Sequence, residues 1–260
     1  MVVSKSGRME VRVKFIKQPE TKEPILICGL PGSGYVGKLG VDHLIKELKA
    51  ELVGEVYCYA FQPQVIIKRD GSANLPKHEL YLWKNQDSGK DLILYTGDFQ
   101  PTSANAEYAV SDKILETVGQ MGAKEVYTLA AYITGAFTEK PKVFGAATDI
   151  DLIKQLEALG VVVTTEGTIT GMNGLIIGLA KIRKMRGACL LGETSGYVVD
   201  AKASQAVLEV LAKMLEMRID MTNLENTAKE TEGFVRTVEE MKKKAAEKGA
   251  GAVREPGYIS

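Results

Sequence analysis

Pro24-Ile25-Leu26-Ile27-Cys28-Gly29-Leu30, continuing into Pro31-Gly32-Ser33-Gly34-Tyr35-Val36-Gly37-Lys38, is the stretch on which the fold turns. Its first half is a continuous apolar run without alternation, as expected of a strand buried on both faces. Val36–Leu48 then places Val41, Leu44, Ile45 and Leu48 at helical spacing. The glycines between them permit a tight turn and close helix–strand packing. Gly29–Lys38 therefore reads as the turn of a βα unit in an α/β domain.

Two phosphate-binding patterns overlie the same residues. Gly32-Ser33-Gly34-Tyr35-Val36-Gly37 satisfies the dinucleotide fingerprint G-x-G-x-x-G. That fingerprint also needs an acidic residue ending the second strand, and Val53–Phe61 ends in Cys58-Tyr59-Ala60-Phe61, with Glu55 too early. From Gly32 to Lys38 the chain also matches G-x-x-x-x-G-K. The hydroxyl residue that ligates magnesium should follow, and Leu39 stands there. An ATPase or GTPase is not expected. What survives is a weak anion-site candidate, Gly32, Gly34, Gly37 and Lys38, at the positive end of a helix.

Outward from this unit, strand-like and helix-length runs alternate. Val53–Phe61, Gln64–Lys68 and Leu80–Lys84 are separated by turn signals, which predicts antiparallel strands or an inserted hairpin. Asp91–Thr96, Val126–Ile133, Val161–Thr164 and Ala188–Leu191 are further strands. Helices are predicted from Thr102 or Ser103, over Asp149–Leu159 behind a capping-box-like Thr148 and Asp151, over Met172–Met185 and over Ala201–Met217. Gly160 is the expected left-handed stop of the second of these. The fold class is α/β, with a mixed, mainly parallel sheet.

Composition narrows the function classes. The 260 residues carry 33 basic and 33 acidic side chains, which argues against bulk attraction to nucleic acid or an acidic membrane. No apolar stretch approaches the roughly 18 residues needed to span a bilayer. Met1–Glu10 lacks the apolar segment of a signal peptide, so a cytoplasmic protein is expected. Cys28, Cys58 and Cys189 lie in apolar runs and read as reduced core residues. His43 and His78 have no Cys or His at metal-ligand spacing, so neither a metal nor a cofactor is expected. Ser195 stands one position late for a nucleophile elbow, and Asp98, Glu139 and Glu193 follow strands without a partnered base.

From Arg218 to Glu247 the chain shows no strand or turn signal. Leu224, Thr231, Phe234, Val238, Met241 and Ala245 follow an approximate heptad among charges. A helix with so thin a stripe needs a surface to pack on: its own domain, a second copy or a partner. Residues 218–247 are thus a helical extension, with Leu224, Phe234, Val238 and Met241 as oligomer-contact candidates. Residues 248–260, Gly/Ala-rich at first, read as a flexible tail after a main domain of residues 1–217.

The string Ile27–Gly37 resembles the opening of the proteasome assembly chaperone family in its archaeal branch. Asp98-Phe99-Gln100-Pro101, Leu129–Gly135, Gly167–Gly174 and Gly192–Tyr197 are similar to later family segments in order and spacing, covering about residues 24–217. The resemblance implies an αβα sandwich of nucleoside phosphorylase-like fold, used for binding without catalysis. It also implies homo-oligomers, a related chaperone subunit as partner, and a role in assembling proteasome α-subunits. Family members that bind the proteasome often end in hydrophobic–Tyr–any; here Tyr258, Ile259 and Ser260 are the partner-binding candidates, with the tyrosine one place early. That departure points to action through the related subunit. The rival expectations are a phosphate- or nucleoside-handling enzyme using Gly32, Gly34 and Lys38, and a paralogue-binding scaffold with no proteasome role.

Overall fold

A computed structural model describes residues 9–86 and 89–230. Strands β1 (Val11–Phe15), β2 (Ile25–Cys28) and β3 (Glu51–Cys58) surround helix α1 (Val36–Glu47) in the chain. Next come β4 (Ile66–Ile67), β5 (Ala73–Asn74), β6 (His78–Trp83), β7 (Leu92–Gly97), α2 (Ala104–Gln120), β8 (Glu125–Ile133) and β9 (Val143–Ala147). The remainder is α3 (Ile150–Ala158), β10 (Val162–Val163), α4 (Gly171–Ile182), β11 (Arg186–Thr194) and α5 (Ala201–Met214).

Nine strands form one sheet in the order β1-β3-β6-β7-β2-β8-β11-β9-β10. Its centre, β7-β2-β8-β11, is parallel. On one flank β1, β3 and β6 join antiparallel, and on the other β9 lies antiparallel to β11. The sheet is mixed as expected, parallel at its centre, with the antiparallel pairing expected among Val53–Phe61 and Leu80–Lys84 found on one flank. The reason is connectivity: the chain returns from β3 to β6 and from β6 to β7 without a helix between them, whereas parallel neighbours need a crossover such as a helix. β4 and β5 form a separate hairpin within the β3–β6 link.

Strand alternation divides the core into two layers. Leu26 and Cys28 of β2, Ile93 and Tyr95 of β7, and Cys189 and Leu191 of β11 meet Val110, Ile114 and Val118 of α2 and Met172 and Ile176 of α4. The intervening Ile25, Ile27, Leu92, Leu94, Ala188 and Leu190 face Val41 and Leu44 of α1, Leu152 and Leu156 of α3, and Val207, Leu208 and Leu211 of α5. The result is an αβα sandwich. All three cysteines are buried and free.

Local signals act as expected at several ends. Gly160 follows α3 with φ 82°, and α2 starts behind Ser103, which is extended but makes no side-chain cap hydrogen bond. The cap of α3 is Asp149, whose carboxylate accepts from the Leu152 N–H at 2.9 Å, in place of the Thr148/Asp151 box. The C-terminal extension also differs from its expected start. Residues 218–221 are not helical; the Asp220 carboxylate accepts from the Thr222 N–H at 2.9 Å, and helix begins at residue 222. Leu224 is 4% exposed and packs with Ala228 into the α1/α5 layer. Its burial against its own domain corrects its assignment to an oligomer contact. Phe234, Val238 and Met241, and the tail 248–260, lie outside the described residues.

Helix α1 sits unusually near the sheet. A Cβ on Gly37 would stand 2.0 Å from the Leu129 carbonyl oxygen, and one on Gly29 2.0 Å from the Gly37 oxygen. Both obstacles are backbone and cannot swing aside. Gly37→Ala is expected to destabilise the protein by about 3 kcal/mol in urea unfolding. Gly178→Ala, at an exposed α4 position with open space around it, should stabilise by about 0.5 kcal/mol. Equal effects of the two substitutions would contradict the packing account.

Candidate functional site

The Gly-rich turn leaves the C-terminal end of β2 and enters α1 through a short 3₁₀ turn, Ser33–Tyr35. Gly34 is buried with φ 61°, where a Cβ would also stand 2.9 Å from Thr194 Oγ1. Tyr35 itself takes the left-handed conformation, with φ 54°. Its far side is tied to α5: the Asp200 N–H donates to the Gly34 carbonyl at 2.8 Å. The Asp200 carboxylate accepts from Thr194 Oγ1 at 2.7 Å and caps α5 through the Ala203 N–H at 2.9 Å. A negative charge thus backs the turn, opposing an anion there.

Lys38 does not serve the turn. Its ammonium donates to both oxygens of Asp42, at 2.6 and 2.7 Å, one helical turn further on. Gly32, Gly34, Gly37 and Lys38 are therefore neighbours in sequence that the fold gives different tasks. Gly34 and Gly37 meet steric demands, and Lys38 makes an ion pair. Only Gly32 opens onto space.

Gln100 of the Asp98–Pro101 segment ties the turn to α4. Its Nε2 donates to the Pro31 carbonyl at 2.6 Å, and its Oε1 accepts from the Met172 N–H at 2.8 Å. Nothing local in the sequence signals this bridge between residues so far apart. Between turn and α4 lies a cleft of about 730 Å³ at the C-terminal ends of β2, β8 and β11, with Gly32, Ser33, Thr164, Glu166, Thr170 and Asn173 among its lining. Such a position is where open α/β sheets place ligands. Among the described residues no basic side chain lines it, and no nucleophile–base pair meets there. Among the described residues, no group of three His, Cys, Asp or Glu could hold a metal, and no helix is long and apolar enough to cross a membrane.

Apolar side chains rim the same edge of the sheet. Ile133, Phe137 and Tyr197 are exposed, Tyr197 by 81%. The ends of β8 and β11 are held together there by the Thr134 N–H donating to the Thr194 carbonyl at 2.9 Å. Exposed aromatic and aliphatic groups of this kind suit protein contact. Ser195 is buried, its Oγ turned to the Tyr197 N–H at 3.4 Å, away from any nucleophilic role.

His78 positions the Asp98–Pro101 segment. Its ring stacks on Phe61 at 4.5 Å, its Nε2–H donates to the Phe99 carbonyl at 2.6 Å, and its Nδ1 accepts from the Tyr95 hydroxyl. Gly97 makes room for it, since a Cβ there would meet the imidazole at 2.2 Å. His43, also buried, contacts the Asp220 carbonyl at 2.7 Å from α1, far from His78 in sequence and role.

The fold and site define a three-layer α/β protein with a polar cleft, an apolar rim and no assembled catalytic constellation among the described residues. The chain belongs to the PAC2 family, whose model matches residues 26–239. It is 41% identical to Pyrococcus furiosus PbaB, an archaeal proteasome activator, covering 89% of this chain and 99% of that one with a TM-score of 0.84. Pyrococcus furiosus PbaA, an archaeal homolog of proteasome-assembly chaperone, matches at 28% identity and TM-score 0.73, covering 92% and 96%. An uncharacterised Methanocaldococcus jannaschii protein, MJ1210, is 38% identical over 91% of this chain and 92% of its own.

Burial lowers the His78 pKa from 6.5 to about 4. The unfolded chain then binds a proton between these values that the folded chain refuses. Stability from this group is full above about pH 6.5 and is lost as pH falls towards 4, by about 3 kcal/mol. Urea unfolding of wild type and His78→Gln between pH 7 and 4.5 should show a shallower pH slope in the variant; parallel slopes would contradict this.

Proposed function

We propose that this protein is a non-catalytic, oligomeric proteasome partner of the cytoplasm that helps α-subunits assemble together with a related chaperone subunit. The observation that carries the reading is whole-body likeness to PbaB, an archaeal proteasome activator, and PbaA, an archaeal homolog of proteasome-assembly chaperone. The site agrees with it. The Gly-rich turn is occupied by internal contacts, Lys38 is paired, and the exposed edge is apolar and suited to a protein surface. A second reading, action on an already formed proteasome, is favoured by the 41% identity to the activator PbaB.

In this reading the body oligomerises through residues Phe234, Val238 and Met241, and residues Tyr258–Ser260 engage the partner. A linker of the tail's length would raise their effective concentration once the body is docked. Mixing the protein with free α-subunits should raise the yield of α-rings in native mass spectrometry. Faster peptide hydrolysis by pre-formed proteasomes, with ring yield unchanged, would favour the second reading; neither effect would refute both.

Two variants separate the roles. Deleting Tyr258–Ser260 should leave the mass in light scattering intact while removing the effect on rings. Phe234→Asp combined with Met241→Asp should lower the mass. Monomers after the tail deletion, or an unchanged mass after the double substitution, would contradict this division.

A further inference from the structure

Helix α4 is apolar on nearly every side. In its sequence, GMNGLIIGLAKI, Lys181 is the single charged residue. Met172, Ile176, Ile177 and Ala180 turn inwards and bury against the sheet. A helix with that task alone carries polar residues on its outer side. Here Leu175, Gly178, Leu179 and Ile182 occupy it, at i, i+3, i+4 and i+7. Gly178 and Ile182 are exposed, Ile182 by 78%, and Leu175 and Leu179 are partly buried. On α2 beside them stands Tyr108, exposed, one turn before the Asp112 that holds Arg183. A Cβ on Gly178 would meet nothing within 4 Å, so the strip has a hole at its middle that a large side chain can fill.

The C-terminal extension carries a strip of matching length, Phe234, Val238 and Met241, with its large ring first. Charge sets the direction in which the two strips fit. Lys181 and Lys184 stand exposed at the C-terminal end of the α4 strip, and their side chains pair with no carboxylate among the described residues; Arg183 is engaged by Asp112. Glu230 and Glu232 precede Phe234, and Lys242, Lys243 and Lys244 follow Met241. Laid antiparallel, with Phe234 over Gly178, the extension brings its carboxylates beside Lys181 and Lys184. Its lysines then run towards the loop before α4, which carries Glu166. A parallel arrangement would set lysine against lysine.

Chain length decides which copy supplies the strip. Leu224 and Ala228 hold the start of the extension in the α1/α5 layer, and α4 lies in the layer on the opposite face of the sheet. Across a sheet, two helical layers lie about 20 Å apart axis to axis, since each layer of core is about 10 Å thick. The four residues that lead from Glu230 to Phe234 span at most about 14 Å when fully extended. A chain therefore cannot lay Phe234 on its own α4. We propose that the outer face of α4 seats the Phe234–Met241 strip of a second copy of this chain, antiparallel, with Phe234 over Gly178 and Glu230 and Glu232 beside Lys181 and Lys184. This rests on the reading that Phe234, Val238 and Met241 make the oligomer contact, and it names the surface that receives them. Each copy gives one strip and takes one, so the contact closes in a pair or a ring.

The test is light scattering of the full chain over a range of concentrations. Gly178→Glu should weaken self-association by about tenfold or more, because it buries an unpaired carboxylate in the hole. Its circular dichroism should keep the wild-type helix content, since glutamate favours helix over glycine and open space receives it. Lys181→Glu with Lys184→Glu should also weaken association, and adding Glu230→Lys with Glu232→Lys should restore it. Oxidative cross-linking reads the geometry, the native cysteines being buried. Chains carrying Gly178→Cys, mixed with size-tagged chains carrying Phe234→Cys, should form the mixed disulfide in excess of either homodimer. A mass lowered by Phe234→Asp with Met241→Asp but not by Gly178→Glu would overturn the seat on α4 and leave the oligomer reading standing. If neither lowers the mass, both fall. A predominant Gly178→Cys homodimer, or a disulfide within one chain when both cysteines are placed in it, would also overturn the proposal.

Discussion

Helix α1 can lie where it does only because no side chain stands between it and the sheet. Gly29 meets Gly37 backbone to backbone, and Gly37 in turn meets the Leu129 carbonyl on β8. From that approach follow the burial of Val41 and Leu44 against the sheet and the seating of α5 beside α1. The turn that precedes α1 is then bent through two successive left-handed residues, Gly34 and Tyr35, and pinned by Asp200. A stretch that looks like nucleotide chemistry is, in this molecule, the condition for close packing.

The same contacts explain why the turn does not act as a phosphate loop. A phosphate loop needs its lysine turned back over the turn and a hydroxyl for magnesium. Here Lys38 runs forward to Asp42, and Leu39 occupies the hydroxyl's place. The open space lies to one side, between Gly32 and α4, and its polar lining is amide, hydroxyl and the carboxylate of Glu166. Protein contact at the apolar rim is the chemistry this edge suits.

Much of this was legible in the sequence because it is written locally. The apolar run Ile25–Cys28, the spacing in α1 and the Gly160 stop each occupy one contiguous stretch. β1 was legible too, since Val11-Arg12-Val13-Lys14-Phe15 alternates apolar and charged residues strictly, as a half-buried edge strand does. β9 escaped because Val143–Ala147 is short and contains Gly145, kept small by Val161 and Leu156. The start of the C-terminal helix, four residues later than expected, was hidden for a similar reason. Asp220 caps the new helix, but Met217, Ile219 and Met221 keep the segment before it apolar, as a helix would. Least legible was the cleft, since Gln100, Thr164 and Asn173 meet Gly32 only through the crossing of β2, β8 and α4.

The central claim, that Gly29–Lys38 is a packing turn and not a nucleotide site, is tested most directly by thermal unfolding of the full chain titrated with magnesium-ATP and with inorganic phosphate. The account predicts a melting temperature that does not move with either, in wild type and in Lys38→Met alike. A saturable rise in the wild type that Lys38→Met abolishes would contradict it.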